Sequence, residues 1–498
     1  MINAICNAKT IVLYWDLPQN YQDDNEYKIY LNNKTVAETK KCHIKIDNLT
    51  PDTEYEFSVE MTGQTSCHLG NFICRTNTEK EIIDITKAPY NAVGDGVTLN
   101  TEKIQAAIDD CGKNQCVYIP AGDFMTGSLF LHSDMELYLE KDAILHGTTD
   151  VKDYEPKIKS RFEGIEMMCY AALINIGTLE HDDVFTCSNV KISGEGTICG
   201  GGRALAQNVI DVETVLLKDY IESLGDKINE CECLQTIPGR TRPRLINISS
   251  AQNVTITGIT IKNGASWNVH MIYSDNIVTY GCTFCSQNVW NGDGWDPDSS
   301  TNCTLFGSEF FTGDDAVAIK SGKNPEGNII NKPSEHIRIF DCISHFGHGI
   351  TIGSEMSGGI NDVRIWNCDM GNSKYGVEIK ATKKRGGYVK NVCVSNSKVC
   401  RILMHSVGYN DDGEAAPEAP VFKDCVFENM HITACQLNSD GNDEFCEAIE
   451  LSGFDIPGHF IKNVKFKNIV IDNNRYSRKQ SISLQCCEGV SFENISCR

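Results

Sequence analysis

The sequence predicts an all-β protein, a parallel β-helix preceded by a small β-sandwich. Three observations predict it. From VKISGEGTI onward, short β-branched runs recur, each broken by a turn at Gly, Asn or Asp; VTITGITIKN, CTLFGSEFF, IRIFDCISH, VRIWNCDMG and VKFKNIVID are variants of one pattern. The copies in the middle of the chain return roughly every 25 to 30 residues, the period of a solenoid that adds one coil per repeat. The apolar runs are short and of period two, which excludes helical repeats.

The elements follow in order. Residues 1–80 read as short strands (IVLYW, YKIYLN, HIKI, YEFSVEM) separated by Asn, Asp and Pro turns. In LTPDTEYEFSVE, Leu49, Pro51, Thr53, Tyr55, Phe57 and Val59 fall on alternate positions, as a half-buried strand entered from a Pro turn requires. With Trp15 upstream, this segment resembles a fibronectin type III domain, so domains are expected at 1–80 and 81–498. NTEKIQAAIDDCG reads as the single amphipathic helix, with Ile104, Ala107, Ile108 and Cys111 on one face and Thr101 as N-cap. It is expected to cap the first coil. Residues 203–240 read as a polar insertion without coil pattern. The pairs Asn302-Cys303, Asp341-Cys342, Asn367-Cys368 and Asp424-Cys425 are expected to stack as ladders inside the coil.

Composition narrows the classes of function. The 498-residue chain is 41% hydrophobic and carries net charge -22. That acidity argues against nucleic acid as a partner. No run approaches the ~20 apolar residues of a membrane span. The start, MINAICNAKTIVLYWDLP, lacks the pattern of a secretory signal. The 24 cysteines are scattered rather than concentrated in a short domain, which favours packed thiols over a disulfide scaffold. Cys282 and Cys285 lie in a strand and face opposite ways, so zinc is disfavoured; no metal or cofactor is expected. Reduced thiols and the missing signal together point to the cytoplasm.

The charged residues are not evenly spread. NGDGWDPDSS holds Asn291, Asp293, Asp296 and Asp298; GDDAVAIKSG holds Asp314 and Asp315; FGHGITIGS holds His348; VEIKATKKRGG holds Glu378 and Lys380. Alone, each motif reads as a turn or a solvated strand end. Stacked coils, however, set matching positions about 4.8 Å apart. Residues one repeat apart then share a groove, and carboxylates gathered there push each other's pKa values apart, as acid–base catalysis requires.

In this order and at this spacing the four motifs resemble those of glycoside hydrolase family 28, the polygalacturonases, from about Ile85 to the C-terminus. The resemblance implies a right-handed β-helix and hydrolysis of pectin-type bonds with inversion. It implies Asp314 as general acid, Asp293 and Asp315 as holders of the attacking water, His348 beside the acid, and Lys380 on the substrate carboxylate. Asn291 is taken as substrate-binding with its motif, and Tyr409 as the aromatic ring near the cleavage site. Asp296 and Asp298 are read as supports for the turn or the water. The insertion and the N-terminal module resemble the exo-acting branch, with Arg242 and Arg244 either reaching the closed pocket or packing a coil corner.

One position departs from the family. Where it shows Arg two residues before the lysine, this chain has Glu378. Glu378 either faces an unusual sugar, such as rhamnose or a modified uronate, or pairs with Lys380 or the basic run at 383–385. The rival readings are a rhamnogalacturonan-type hydrolase, a calcium-dependent pectate lyase and a non-catalytic carbohydrate-binding β-helix.

Overall fold

A computed structural model describes every residue except 1, 20, 22–24, 64, 439 and 473–480. The chain divides into two compact units, Met1–Ile82 and Ile83–Arg498. In the first, Ile2–Cys6, Ile11–Trp15 and His43–Ile46 form one antiparallel sheet, and Lys34–Thr39, Glu26–Leu31, Glu54–Thr62 and Cys67–Arg75 another. The alternation read in sequence buries Phe57 and Val59. Trp15 is also buried, edge-on to Tyr27 at 5.1 Å. Tyr55 Oη accepts a hydrogen bond from Thr50 N at 2.8 Å. This bond from a tyrosine early in a strand to the backbone upstream is the corner motif of immunoglobulin-like sandwiches.

The second unit is a parallel β-helix. Each coil contributes three strands, such as Ala251–Thr257, Thr260–Lys262 and Val269–Ile272. Gln252 pairs with Asp275, Asp275 with Thr301, Thr301 with Glu335, Glu335 with Asn361 and Asn361 with Lys390, so these coils run 23, 26, 34, 26 and 29 residues. The longest accommodates a short helix, Glu326–Ile330. Inward columns of mainly β-branched residues build the core: Val254, Ile277, Cys303, Ile337, Val363 and Val392 stack rung on rung and are buried. Beside them Tyr280, Phe306, Phe340 and Trp366 stack at centroid separations of 4.7, 4.8 and 4.4 Å, locking four rungs in register.

Three expectations need correction. The asparagines do not lie inside. Asn302 Nδ2 donates to Asp275 Oδ1 (2.7 Å) on the solvent side and Asn367 Nδ2 to Asp341 Oδ1 (3.2 Å), with φ of +53° at Asn302 and Asp341 and +52° at Asn367, where Asn and Asp are tolerated. Cys303, Cys342, Cys368 and Cys425 are the buried members of those pairs. The helix is Thr101–Asp109, with Asn100 rather than Thr101 at the N-cap. Asn100 is spent on bracing the preceding loop through Val93 and Thr98, while Thr101 Oγ1 accepts from Gly127 N. Finally, the insertion is helical: Gly202–Leu216 and Lys218–Leu224. Leu205, Ala206, Val209 and Ile210 recur at helical spacing and are buried. Among the described residues, no helix is long and apolar enough to cross a membrane.

Candidate active site

Four consecutive strands of the eleven-stranded parallel sheet build the site: Trp295–Asp298, Val317–Ile319, Ile350–Ile352 and Val377–Ala381. Their apolar residues (Trp295, Val317, Ile350 and Val377) belong to the buried core column. Strand alternation therefore turns Asp296, Ala318, Thr351 and Glu378 outward, one above another. Two residues on, Asp298 and Lys320 are bridged, and Lys380 lies two coils later on the same face.

The turns entering these strands supply the remaining groups. Asn268 holds the Asp293 carbonyl with its backbone N (2.9 Å) and its Nδ2 (2.7 Å). Gly294 N donates to Asp315 O and His348 N to Asp314 O, both at 2.9 Å, which ties the three turns together. Glycines must flank His348. Gly347 has φ +122° and an added Cβ would meet Thr312 Oγ1 at 2.2 Å; Gly349 has φ +97° with Gly376 O at 2.3 Å.

The turns bring the acids and the imidazole together. His348 Nδ1 lies 2.9 Å from Asp314 Oδ1 and 3.4 Å from Asp315 Oδ1, as ion-pair contacts. Thr351 Oγ1 donates to Asp315 Oδ1 at 2.7 Å, and Lys380 Nζ is 3.9 Å from Asp315 Oδ2. Lys380 Nζ also lies 2.9 Å from Glu378 Oε2, whose other oxygen is 2.7 Å from His405 Nε2. Lys320 Nζ sits 3.6 Å from Asp293 Oδ2, 3.5 Å from Glu355 Oε2 and 4.5 Å above the Trp267 ring.

These surroundings sort the carboxyls. Burial, then the neighbouring Asp296 and Asp314, pushes Asp293 well above the usual carboxylate range. Burial likewise raises Asp296, against the pull of Lys320, and no hydrogen bond reaches either of its oxygens among the described residues. Burial would raise Asp315 too, but Lys380 and His348 outweigh it and hold the group ionised far below its ordinary value. For His348, burial is overcome by the Asp314 and Asp315 carboxylates, which raise it well above an ordinary imidazole. The surroundings thus favour the protonated form of Asp293 and Asp296 and the ionised form of Asp315.

The other expected residues divide. Asp298 is a support: Arg161 Nη1 (2.8 Å) and Gly322 N (3.0 Å) hold one oxygen and His270 Nε2 (3.3 Å) the other. Arg242 is buried and donates to Gly239 O, Trp290 O and Asn291 Oδ1 at 2.7, 2.8 and 2.6 Å, which is the corner-packing alternative. Asn291 is accordingly engaged by Arg242. Arg244 stacks on Phe162 and Trp267 and leaves its buried Nη1 without a partner among the described residues. Tyr409 is half-exposed, its ring 6.0 Å from Lys380 Nζ. Lys320 and His270 escaped the sequence reading. The signal for Lys320 was its alternation with Val317 and Ile319, which turns it toward the aspartates.

Carboxylates gathered with an imidazole on one groove are the groups that acid–base hydrolysis of a glycosidic bond requires. The chain belongs to glycosyl hydrolases family 28, whose model matches residues 115–458. It is 26% identical over 544 residues to an exo-poly-alpha-D-galacturonosidase of Dickeya chrysanthemi, spanning 98% of this chain and 88% of that one. To a probable polygalacturonase of Vitis vinifera it is 32% identical, over 69% of each chain. It shares the fold of a family 28 exopolygalacturonase of Yersinia enterocolitica, with TM-score 0.81 at 23% identity, covering 100% of this chain and 98% of the other.

Proposed function

We infer that the protein hydrolyses pectic, galacturonate-containing oligosaccharides with inversion, acting from a chain end. One observation carries the chemistry: Asp314, Asp315 and His348 meet at adjacent turns, to which the Asp293 turn is tied by the bond from Gly294 N to Asp315 O. In this reading the His348 imidazolium, 2.9 Å from Asp314 Oδ1, passes a proton to Asp314, which gives it to the glycosidic oxygen as the bond from that oxygen to the anomeric carbon breaks. Water attacks the anomeric carbon from the opposite face and passes a proton to the aspartates behind it, leaving an inverted hemiacetal. Of the two, Asp315 is the one whose ionised carboxylate is open to accept that proton, since Lys380 and His348 hold it deprotonated while burial favours the protonated form of Asp293. His348 orients Asp314, and Lys380 faces the uronate carboxylate.

The substrate assignment draws support from the exo-poly-alpha-D-galacturonosidase of Dickeya chrysanthemi, related along nearly the whole chain. The pairing of Glu378 with Lys380 and His405 favours plain galacturonate over a rhamnose-containing chain, because Glu378 is engaged by these two side chains.

The test is product analysis on galacturonate oligomers and mixed rhamnose–galacturonate oligomers, with and without EDTA. Release of one short product from the outset, of inverted anomeric configuration and unaffected by EDTA, is expected. A full ladder of sizes would replace chain-end action by internal cleavage. Unsaturated products that need Ca²⁺ would replace hydrolysis by elimination; Asp314, Asp315 and His348 lie close enough together to make that arm informative.

A further inference from the structure

A cleft of about 230 Å³ lies between the helical insertion and the coil that carries the Asp293 turn. Arg203, Gln207 and Gln235 line it from the insertion, and Arg242, Asn288 and Trp290 from the β-helix. The volume is below the roughly 300–1,000 Å³ of pockets that enclose a drug-sized ligand, which suits one sugar ring rather than an extended chain.

The lining has a definite chemistry. Trp290 is packed by two neighbours that are themselves joined, Arg242 Nε donating to Gly239 O at 2.7 Å. The Arg242 guanidinium stacks 4.2 Å from its ring centroid, and Gly239 packs so close that a Cβ there would sit 2.9 Å from the ring. A rigid indole suits the apolar C–H face of a pyranose. Gln235 and Asn288 offer amides for hydroxyls. Gln207 is partly committed, its Nε2 donating to Asp211 Oδ1 at 2.8 Å. Arg203 is exposed near the helix start, and among the described residues no ion pair engages it. A free guanidinium beside an aromatic ring in a chain of net charge -22 is suited to a carboxylate ligand.

Arg242 links the cleft to the groove, since it stacks on Trp290 and donates 2.6 Å to Asn291 Oδ1, two residues before Asp293. We propose that this cleft is a second saccharide subsite, which takes a uronate residue of the oligosaccharide away from the bond being cut. The ring packs on Trp290 and its carboxylate meets Arg203. The assignment rests on the pectic reading of the groove.

The experiment compares wild type with Arg203→Gln, Arg203→Lys and Trp290→Ala on di- to pentagalacturonate. Arg203 is exposed, so its replacement keeps the fold even where Trp290→Ala does not. The wild type is expected to gain kcat/KM with chain length. Arg203→Gln should lose that gain through KM, by about fivefold or more on the longer oligomers, with Arg203→Lys between the two. An equal loss at every length, or none, overturns the subsite. Absence of hydrolysis by the wild type defeats the proposed reaction but not the subsite. Titration of tetragalacturonate into wild type and Arg203→Gln tests it separately, and equal affinities overturn it.

Discussion

Glu378 Oε2 lies 2.9 Å from Lys380 Nζ, on the strand where the family's arginine and lysine would stand side by side. The acid is fully buried and also holds His405, so it orients two side chains at once. Glu378→Arg should therefore not improve galacturonate binding. It places a second cation beside buried Lys380 and leaves Lys380 without its nearest partner, a change of about 3–5 kcal/mol in stability. Glu378→Gln should cost about tenfold in kcat/KM by loosening Lys380, an interaction worth about 1.5 kcal/mol. Urea unfolding and kinetics on galacturonate oligomers check both, and a more active arginine variant would show that Glu378 opposes the substrate.

Asp314→Asn should lower kcat by at least about two orders of magnitude, because an amide cannot donate the proton. Its side chain is 25% exposed, so the melting temperature should hold. A folded Asp314→Asn variant with near wild-type turnover would move the acid's role to Asp293, the carboxyl its surroundings keep protonated.

Asp293→Asn makes a separate prediction about stability. Asp293 has a raised folded-state pKa, so the folded protein binds more protons than the unfolded chain above about pH 4, and stability falls as pH rises. Asparagine mimics the protonated acid and has no proton to lose. The stability of Asp293→Asn relative to wild type should thus increase from acidic to alkaline pH. Thermal melts across that range measure it; a constant difference would mean that Asp293 does not hold a proton.

The pair of His348 with Asp315 sets an opposite pair of limits. Asp315 is depressed, so its contribution is present above about pH 4 and lost as pH falls toward its folded value. His348 is raised, so its contribution is complete below about pH 6.5 and lost as pH rises through its folded value. Both act together in mildly acidic solution, where activity should peak. His348→Gln should remove the alkaline limb of the stability profile contributed by the imidazolium and leave the acidic limb in place.

Much of this site could be read before any coordinates. The repeat period places Asp293, Asp314, Asp315, His348 and Lys380 on successive rungs, because a parallel β-helix converts spacing in sequence directly into spacing in space. What spacing cannot reveal is contact between distant segments. Arg161, which holds Asp298, comes from a hairpin 137 residues earlier, and no local pattern announces it. Lys320 is a lone lysine until Val317 and Ile319 are known to face inward. The helix Gly202–Leu216 did carry a signal in Leu205, Ala206, Val209 and Ile210, but with Arg, Gln and Asn between them it passes for polar loop.

The inward aliphatic columns hold the rungs from within, and the ring stack of Tyr280, Phe306, Phe340 and Trp366 braces the same rungs from the alternate face of the strands. Foldability and ligand preference are thus written in different letters of the same strand. An exchange on the groove face leaves the inward alternation, and with it the pitch of the coils, as it was; where the exchanged residue is as deeply buried and paired as Glu378, the cost falls on the local ion pairs instead.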